Sequence, residues 1–308
     1  MKLRLARPED LCELQRLRQS RPYWESVFLD EEQWRRQGLE LLEQAPGQAD
    51  WRVLVALEQE QPLGYVLMSL HDEHGVTHQL QVKLLDLAVP SFEVLSRLVT
   101  KTVKIASAYE HEAIIVDVAA DDKRTQLWLY RCGFRAEQHR AALRFAPGHR
   151  GASSPDYRLR AGREDDLPFL LETHAAYTAA YIPGGREVDP AEVELRYQLT
   201  YLSQLDLSTV WLLEEVVSGA AVGYMIVQNG PPARGEPSFY LYDVAVAPAF
   251  AGRGLSRYLI GAAETMTGQQ GGVLYGDGSL GSRTIASWHA QMGYRVDTLR
   301  FALHVKRM

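Results

Sequence analysis

Short apolar stretches recur along the chain in a fixed succession. WRVLVALEQ (51–59) and VWLLEEVV (210–217) are alternating or continuous apolar runs. Each passes through a turn with Gly or Pro into a second such run, GYVLMSL or GYMIVQ, and the pairs predict β-hairpins. Ahead of them, Leu3–Leu5 and Tyr157–Leu159 predict a short strand entering a helix that opens with Pro-Glu-Asp or Arg-Glu-Asp-Asp. Acidic residues there suit the positive end of a helix dipole. Behind the hairpins come a strand (QVKLLDLAV or FYLYDVAV), a helix, and the apolar strands AIIVDVA (113–119) and GVLYGD (272–277). A further helix ends at Gly133 or Gly293, and strands near RAALRF and LRFALHV close each half. A hairpin followed by a strand–helix–strand unit predicts a mixed, mostly antiparallel α/β sheet flanked by helices.

The succession is written twice. LRLARPEDL (3–11) resembles YRLRAGREDDL (157–167), and PLGYVLMSL (62–70) resembles AVGYMIVQN (221–229). LLDLAVP (84–90) matches LYDVAVAP (241–248), and LYRCGFRAE (129–137) matches HAQMGYRVD (289–297). Echoes that keep one order in both halves mark a duplication. Between the copies lies APGHRGASSPD (146–156), whose Pro, Gly, Ser and Ala content reads as a linker. Domains are expected at 1–147 and 156–308, each long enough for its own core.

Composition narrows the class. With 46% hydrophobic and 23% charged residues over 308 positions, the chain is neither collagen-like, coiled-coil nor disordered. A net charge of −6 without a basic block argues against a nucleic-acid partner. No apolar run approaches the roughly 18–20 residues of a membrane span. The start, MKLRLARPEDL, has no apolar secretory core. Cys12 and Cys132 make neither a disulfide framework nor a thiolate cluster. A cytoplasmic protein without membrane contact is expected. His71, His74 and His78 have metal-like spacing, but the polar turn HDEHGVTH around them reads better as a solvated hairpin, and no metal is expected.

The chemistry concentrates in YDVAVAPAFAGRGLSR (242–257). An apolar strand runs to Val246, and Pro248, lacking an N–H, ends its ladder. Gly252 and Gly254 then precede the helix LSRYLIGAAETM. A strand, a glycine turn and a helix N-terminus make an anion cradle, where free amides and the dipole favour phosphate. Arg253 and Arg257 add charge-assisted donors. The spacing is neither that of a Walker phosphate loop nor that of a dinucleotide-binding turn, because Arg257 stands where a third glycine would be.

The run V-A-V-A-P-x-x-x-G-R-G-L-S, with the helix, strand and SWHAQMGY that follow, resembles the GCN5-related N-acetyltransferase (GNAT) family. That family's pyrophosphate loop reads Q/R-x-x-G-x-G/A. Here the positions are Ala251, Gly252, Arg253, Gly254, Leu255 and Ser256, with Ala251 replacing the usual Gln or Arg and Ser256 a small residue. The resemblance covers the second half and, more weakly, the first. It implies two tandem GNAT-like domains, an architecture shared with mycothiol synthases. The implied reaction is transfer of an acetyl group from acetyl-coenzyme A to a primary amine of a small molecule, performed by the C-terminal domain. It also implies that the backbone of Val244, Ala245 and Val246 binds the pantetheine arm. In the first half Ser91-Phe92-Glu93 follows LLDLAVP without a glycine, so that copy is expected to be degenerate and to lack the loop.

The same resemblance nominates individual residues. His289 stands where the family often has a tyrosine that protonates the departing thiolate, with Tyr294 and Tyr275 as alternatives. Ser282 falls where an asparagine often contacts the coenzyme, and it serves equally well as a helix cap. Asp243, beside the expected thioester, is the candidate base if a bulge turns it toward the acceptor; Glu214 and Glu215 rival it. The segment YTAAYIPGGREVDP (177–190) is expected to contact the acceptor through Tyr177, Tyr181 and Arg186. Two other functional readings stand beside this one: a mycothiol synthase-like acetyltransferase, and a non-catalytic acyl-coenzyme A sensor. The two halves are expected to pair as a pseudo-dimer within a monomer, or the chain to form a homodimer.

Overall fold

The computed structural model describes residues 1–70, 81–148, 154–177, 190–207, 209–280 and 289–305. In the first half the elements are β1 (Lys2–Leu5), α1 (Leu11–Gln19), α2 (Glu31–Gln44), β2 (Trp51–Glu58) and β3 (Gln61–Ser69). They continue with β4 (Gln81–Ala88), α3 (Phe92–Ala108), β5 (Ala113–Ala119), α4 (Lys123–Arg131) and β6 (Arg135–Phe145). Local chemistry fixes several boundaries. Asp30 caps α2 by accepting from the Gln33 amide at 2.7 Å, while the Gln33 side chain accepts from the Asp30 amide at 3.0 Å. The β2–β3 hairpin turns on Gln59 and Glu60, both left-handed with φ of 51° and 65°, as a tight two-residue turn demands.

The second half repeats this order with β7 (Tyr157–Ala161), α5 (Leu167–Ala175), α6 (Pro190–Asp206), β8 (Val210–Glu215) and β9 (Ala221–Asn229). It ends with β10 (Ser238–Val246), α7 (Leu255–Gln270), β11 (Gly272–Ser279) and β12 (Arg295–His304). The described residues form two compact units. The first comprises Met1–His139 and Asp297–Met308, with strand order β1-β2-β3-β4-β5-β12. The second comprises Arg140–Val296, with order β6-β11-β10-β9-β8-β7. The pairs β1–β2, β2–β3, β3–β4, β5–β12, β7–β8, β8–β9 and β9–β10 are antiparallel, and β4–β5 and β10–β11 are parallel.

The compact units therefore do not divide at the contiguous halves 1–147 and 156–308. From Asp297 on, β12 belongs to the first unit, and β6 passes from the first unit into the second between His139 and Arg140. In the first unit, Thr298–His304 of β12 runs antiparallel to β5, and in the second, β6 lies beside β11. The physical reason is that RAALRF and RFALHV are near-copies, so each fits either sheet. Arg300 of β12 makes a two-pronged ion pair with Asp117 of β5, and Arg140 of β6 makes the same pair with Asp277 of β11. Of the proposed linker, Gly148 donates its amide to the Gly268 carbonyl at 2.7 Å, and residues 149–153 lie outside the described ones.

The duplication extends to backbone irregularities. In β4 the register against β3 shifts between Leu84 and Asp86, and in β10 the register against β9 shifts between Leu241 and Asp243; Leu85 and Tyr242 are the extra residues. The Gly-Tyr pairs are repeated for a steric reason. A Cβ at Gly64 would stand 2.8 Å from the Ala88 carbonyl oxygen, and one at Gly223 2.8 Å from that of Ala245. Each unit packs apolar side chains on both faces of its sheet. In the first, Leu95 and Leu98 of α3 cover one face while Leu14 and Leu42 of α1 and α2 cover the other. In the second, Leu255, Leu259 and Ala263 of α7 cover one face, and Leu170 of α5 with Tyr201 and Leu205 of α6 cover the other. Charge bracing at the helix entrances is also copied. Arg4 grips Asp10 at 2.6 and 2.8 Å, and Arg160 grips Asp166 at 2.6 Å on both oxygens. Hydrogen bonds from the guanidinium hold both carboxyls below their ordinary range, helped by the Arg7 or Arg163 amide and opposed by burial.

Candidate active site

The ladder between β10 and β11 covers only Ser238 to Tyr240, while β10 runs on to Val246 against β9 alone. The parallel strands thus part beyond Tyr240, and the edge of β10 that faced β11 is left without a strand partner. Against this edge lies a cavity of about 430 Å³, lined by Tyr177, Val244, Ala245, Val246, Phe250, Ala251, Gly252, Gly254, Leu255 and Ser256. The structure therefore gathers most of the residues nominated for coenzyme binding around one space, together with Tyr177. Phe250 was not foreseen. Arg253 is not among the lining residues; its guanidinium lies 4.7 Å above the Phe250 ring.

The glycine turn has the form an anion needs. Gly252 and Gly254 are left-handed, with φ of 78° and 76°, and a Cβ at either would meet nothing within 4 Å. Gly254 is the N-cap of α7 and offers no side-chain cap. The amides of Arg253, Gly254, Leu255 and Ser256 have no hydrogen-bond partner among the described residues, so orphan donors and the positive helix end converge on open space. Two backbone groups of the expected pantetheine edge are engaged. The Val244 amide donates to Asp243 Oδ1 at 2.8 Å, and the Val246 carbonyl accepts from the Tyr177 hydroxyl at 2.7 Å.

The first unit lacks this cradle, as the missing glycines imply. Only Val89–Ser91 separate β4 from α3, and the Ser91 side chain accepts from the Val94 amide, capping its own helix. Arg131 lies 3.9 Å over the Phe92 ring at the same helix start.

The bulge at Tyr242 turns Asp243 toward α5 and α6, away from α7. Asp243 Oδ2 accepts from the Tyr224 hydroxyl at 2.7 Å and the Tyr201 hydroxyl at 3.0 Å, and lies 3.4 Å from His174 Nδ1. The His174 ring packs 3.6 Å from that of Tyr197. Burial, reinforced by the Asp243 charge, raises the pKa of all three tyrosines, so their hydroxyls stay protonated. Sequence reasoning named Asp243 and missed His174, Tyr197, Tyr201 and Tyr224. Tyr224 was visible in the repeated Gly-Tyr pair, and His174 in the alignment of the two helix entrances, where it falls opposite Arg18.

The remaining nominees sit elsewhere. His289 is buried, its ring 5.4 Å from that of Tyr294, and it is not among the residues lining the cavity. Tyr294 donates to Glu264 at 3.2 Å within the core. Glu214, a rival base, is bound by Arg158 and Arg160, whose hydrogen bonds lower its pKa and make it a poor proton acceptor. Glu215 accepts from Ser218. Tyr181, Arg186, Ser282 and the three histidines at 71, 74 and 78 lie outside the described residues. Among the described residues no group of three or more His, Cys, Asp or Glu stands ready for a metal ion, and no helix is long and apolar enough to cross a membrane.

Residues 172–280, within the second unit, match the Acetyltransferase (GNAT) family. The whole chain is similar in fold to solved tandem proteins. One is a tandem GNAT protein from the clavulanic acid biosynthesis pathway, at 12% identity and TM-score 0.55, with 99% of each chain covered. Another is a GCN5-related N-acetyltransferase from Sphaerobacter thermophilus, at 16% identity and TM-score 0.54, covering 99% of this chain and 96% of that one. A third is the glucosamine N-acetyltransferase region of a fungal multi-domain β-N-acetylglucosaminidase, at 12% identity and TM-score 0.59, covering 98% of this chain and 38% of that one. No curated protein matches the chain in sequence. Residues 172–280 are thus similar to the GNAT family, and the chain over both units has the fold of a solved tandem GNAT protein.

Proposed function

We propose that the second unit transfers an acetyl group from acetyl-coenzyme A to a primary amine of a small molecule, and that the first unit does not bind the coenzyme. The supporting observation is the pair of left-handed glycines whose open faces and unpartnered amides border the cavity along β10. Gly252–Ser256 would hold the pyrophosphate, and the free edge of β10 near Val244–Val246 the pantetheine arm. When bound, the coenzyme supplies an acetyl thioester that an amine attacks, the C–N bond forming as the C–S bond breaks. Asp243 supplies negative charge on the acceptor side of β10, and its neighbour His174, 3.4 Å from Asp243 Oδ2, takes the proton shed by the ammonium. Tyr177 fixes the Val246 carbonyl and so the shape of the cavity mouth. In this reading Ser282, Tyr181 and Arg186 complete the coenzyme and acceptor contacts.

The test is titration calorimetry of the full chain with acetyl-coenzyme A, followed by turnover on a panel of amines. Gly254→Glu places a carboxylate in the cradle and is expected to weaken binding roughly a hundredfold, the weight of one or two charge-assisted hydrogen bonds. His174→Ala is expected to lower kcat with coenzyme binding unchanged. Binding without turnover on any amine would favour the sensor reading, and binding untouched by Gly254→Glu would remove the loop assignment.

A further inference from the structure

In the first unit, Asp86 of β4 is surrounded by more positive charge than it can match. It accepts from the Tyr65 hydroxyl at 2.5 Å, and the guanidinium groups of Arg18 and Arg21 stand 3.0 and 2.8 Å from its oxygens. Arg35, the third guanidinium around the Trp34 ring, is matched by Glu31. Two arginines and one aspartate remain, with one positive charge in excess. Among the described residues neither Arg18 nor Arg21 pairs with a second carboxylate.

The excess charge coincides with unused donors. The Arg18 side chain is 4% exposed, and of its three nitrogens only Nη2 has an acceptor, the Trp34 carbonyl at 3.2 Å. Nε lies near Asp86 without completing a hydrogen bond, and Nη1 is buried with no acceptor among the described residues. A buried charged donor left unmet costs more than a neutral one, so native structures rarely leave one. Trp24 Nε1, on the same connection between α1 and α2, is also buried without an acceptor.

The other arginine grips differ. Hydrogen bonds to Asp10 raise the Arg4 pKa and those to Asp166 and Glu214 raise that of Arg160, whereas burial lowers that of Arg18. The arrangement is built for the guanidinium all the same. Gly38 of α2 leaves its room, since a Cβ there would stand 2.1 Å from Arg18 Nε. Arg21, with 22% of its side chain exposed, carries the cluster to the surface.

We propose that Arg18 and Arg21 hold the carboxylate of a small monoanionic ligand, bound beside Asp86 at the connection between α1 and α2 of the first unit. A single excess charge suits a monoanion better than a phosphate dianion, and a planar carboxylate meets a guanidinium with two parallel hydrogen bonds. Water would satisfy the N–H groups and leave the charge unmatched. The site is independent of acetyl transfer in the second unit.

The test is calorimetric titration of the full chain, at fixed ionic strength, with acetate, its neutral isostere acetamide, and methyl phosphate. Acetate is expected to bind, acetamide not to bind, and methyl phosphate to bind at least tenfold more weakly than acetate. Arg21→Gln, at the exposed end of the cluster, is expected to weaken acetate about tenfold, the weight of one charge-assisted hydrogen bond. Gly254→Glu, in the other unit, is expected to leave acetate binding unchanged. A second measurement uses the unaltered chain: acetate, and not acetamide, slows modification of Arg21 by an arginine-selective dicarbonyl, followed by peptide mass spectrometry. No acetate binding, or binding that survives Arg21→Gln with Arg21 unprotected, overturns the proposal and leaves Arg18 to water. Acetate binding lost on Gly254→Glu puts the anion in the glycine cradle and overturns it equally. Turnover on amines stands or falls apart from each of these results.

Discussion

Asp86 and Asp243 occupy one place in a duplicated fold and are treated in opposite ways. Each follows a bulge on the strand that parts from its parallel neighbour, and each accepts from the tyrosine of a Gly-Tyr pair. Asp86 is then neutralised by Arg18 and Arg21, with the Arg18 guanidinium 3.7 Å from the Trp34 ring. Burial pulls the Arg18 pKa down and the Asp86 charge holds it up, the usual balance of a buried ion pair. Asp243 faces His174 instead, stacked on Tyr197, with Tyr201 adding a hydroxyl. Even the helix behind has been exchanged in kind. Gly38 in α2 leaves the room that the Arg18 guanidinium fills, since a Cβ there would run into it. In the second unit Tyr201 of α6 packs edge-on to His174, ring centroids 5.8 Å apart. One carboxylate is met by two guanidinium groups, and the other by two phenol hydroxyls and an imidazole.

The sharpest way to break this comparison is to neutralise both aspartates. Asp86→Asn strands a buried guanidinium and is expected to cost about 3–5 kcal/mol, whereas Asp243→Asn keeps an acceptor for two phenols and costs about 1 kcal/mol. Urea unfolding of the two variants checks it; equal losses would mean that Asp243 is as structural as Asp86. The next effect is a graft. His174→Arg and Tyr201→Gly are each expected to destabilise, while the double variant recovers about 1–3 kcal/mol of coupling, because it rebuilds the Arg18–Gly38 arrangement. A double-mutant cycle by denaturation reads the coupling directly, and additive losses would deny the correspondence of α2 and α6.

The smallest effect concerns what the units share. Asp10 and Asp166 both titrate below their unfolded value near 4, so their contribution is complete above about pH 4 and fades as pH falls through the lower folded value. Asp10→Asn and Asp166→Asn are each expected to cost about 1–2 kcal/mol at neutral pH and to flatten the acid limb of the stability curve equally. Stability followed from pH 7 to pH 2 tests this, and a loss confined to one variant would show that the entrances are copied in sequence but not in energetics.

Much of this was legible from residues alone. The alternating runs gave the hairpins, the echoes gave two copies of one fold, and Gly252 and Gly254 marked the cradle because few other residues tolerate that backbone. The His174–Tyr197–Tyr201 group was not legible as a group, since it joins α5 and α6 to the sheet across long separations, although His174 alone aligns with Arg18. The membership of the closing strands was equally hidden. Local pattern specifies a strand and its faces, but two near-identical strands leave the choice of sheet to tertiary pairing.

That choice has a consequence for how the protein is made. The first unit's sheet is finished by Thr298–His304, which leaves the ribosome only after every residue of the second unit. During synthesis the β5 edge therefore waits open, with Ile114 and Val116 beside it and Phe301 not yet present to fill the core. A truncated product would expose that edge, and splitting the gene at the apparent linker would yield two fragments each lacking its own last strand. The inactive-looking copy is thus completed last.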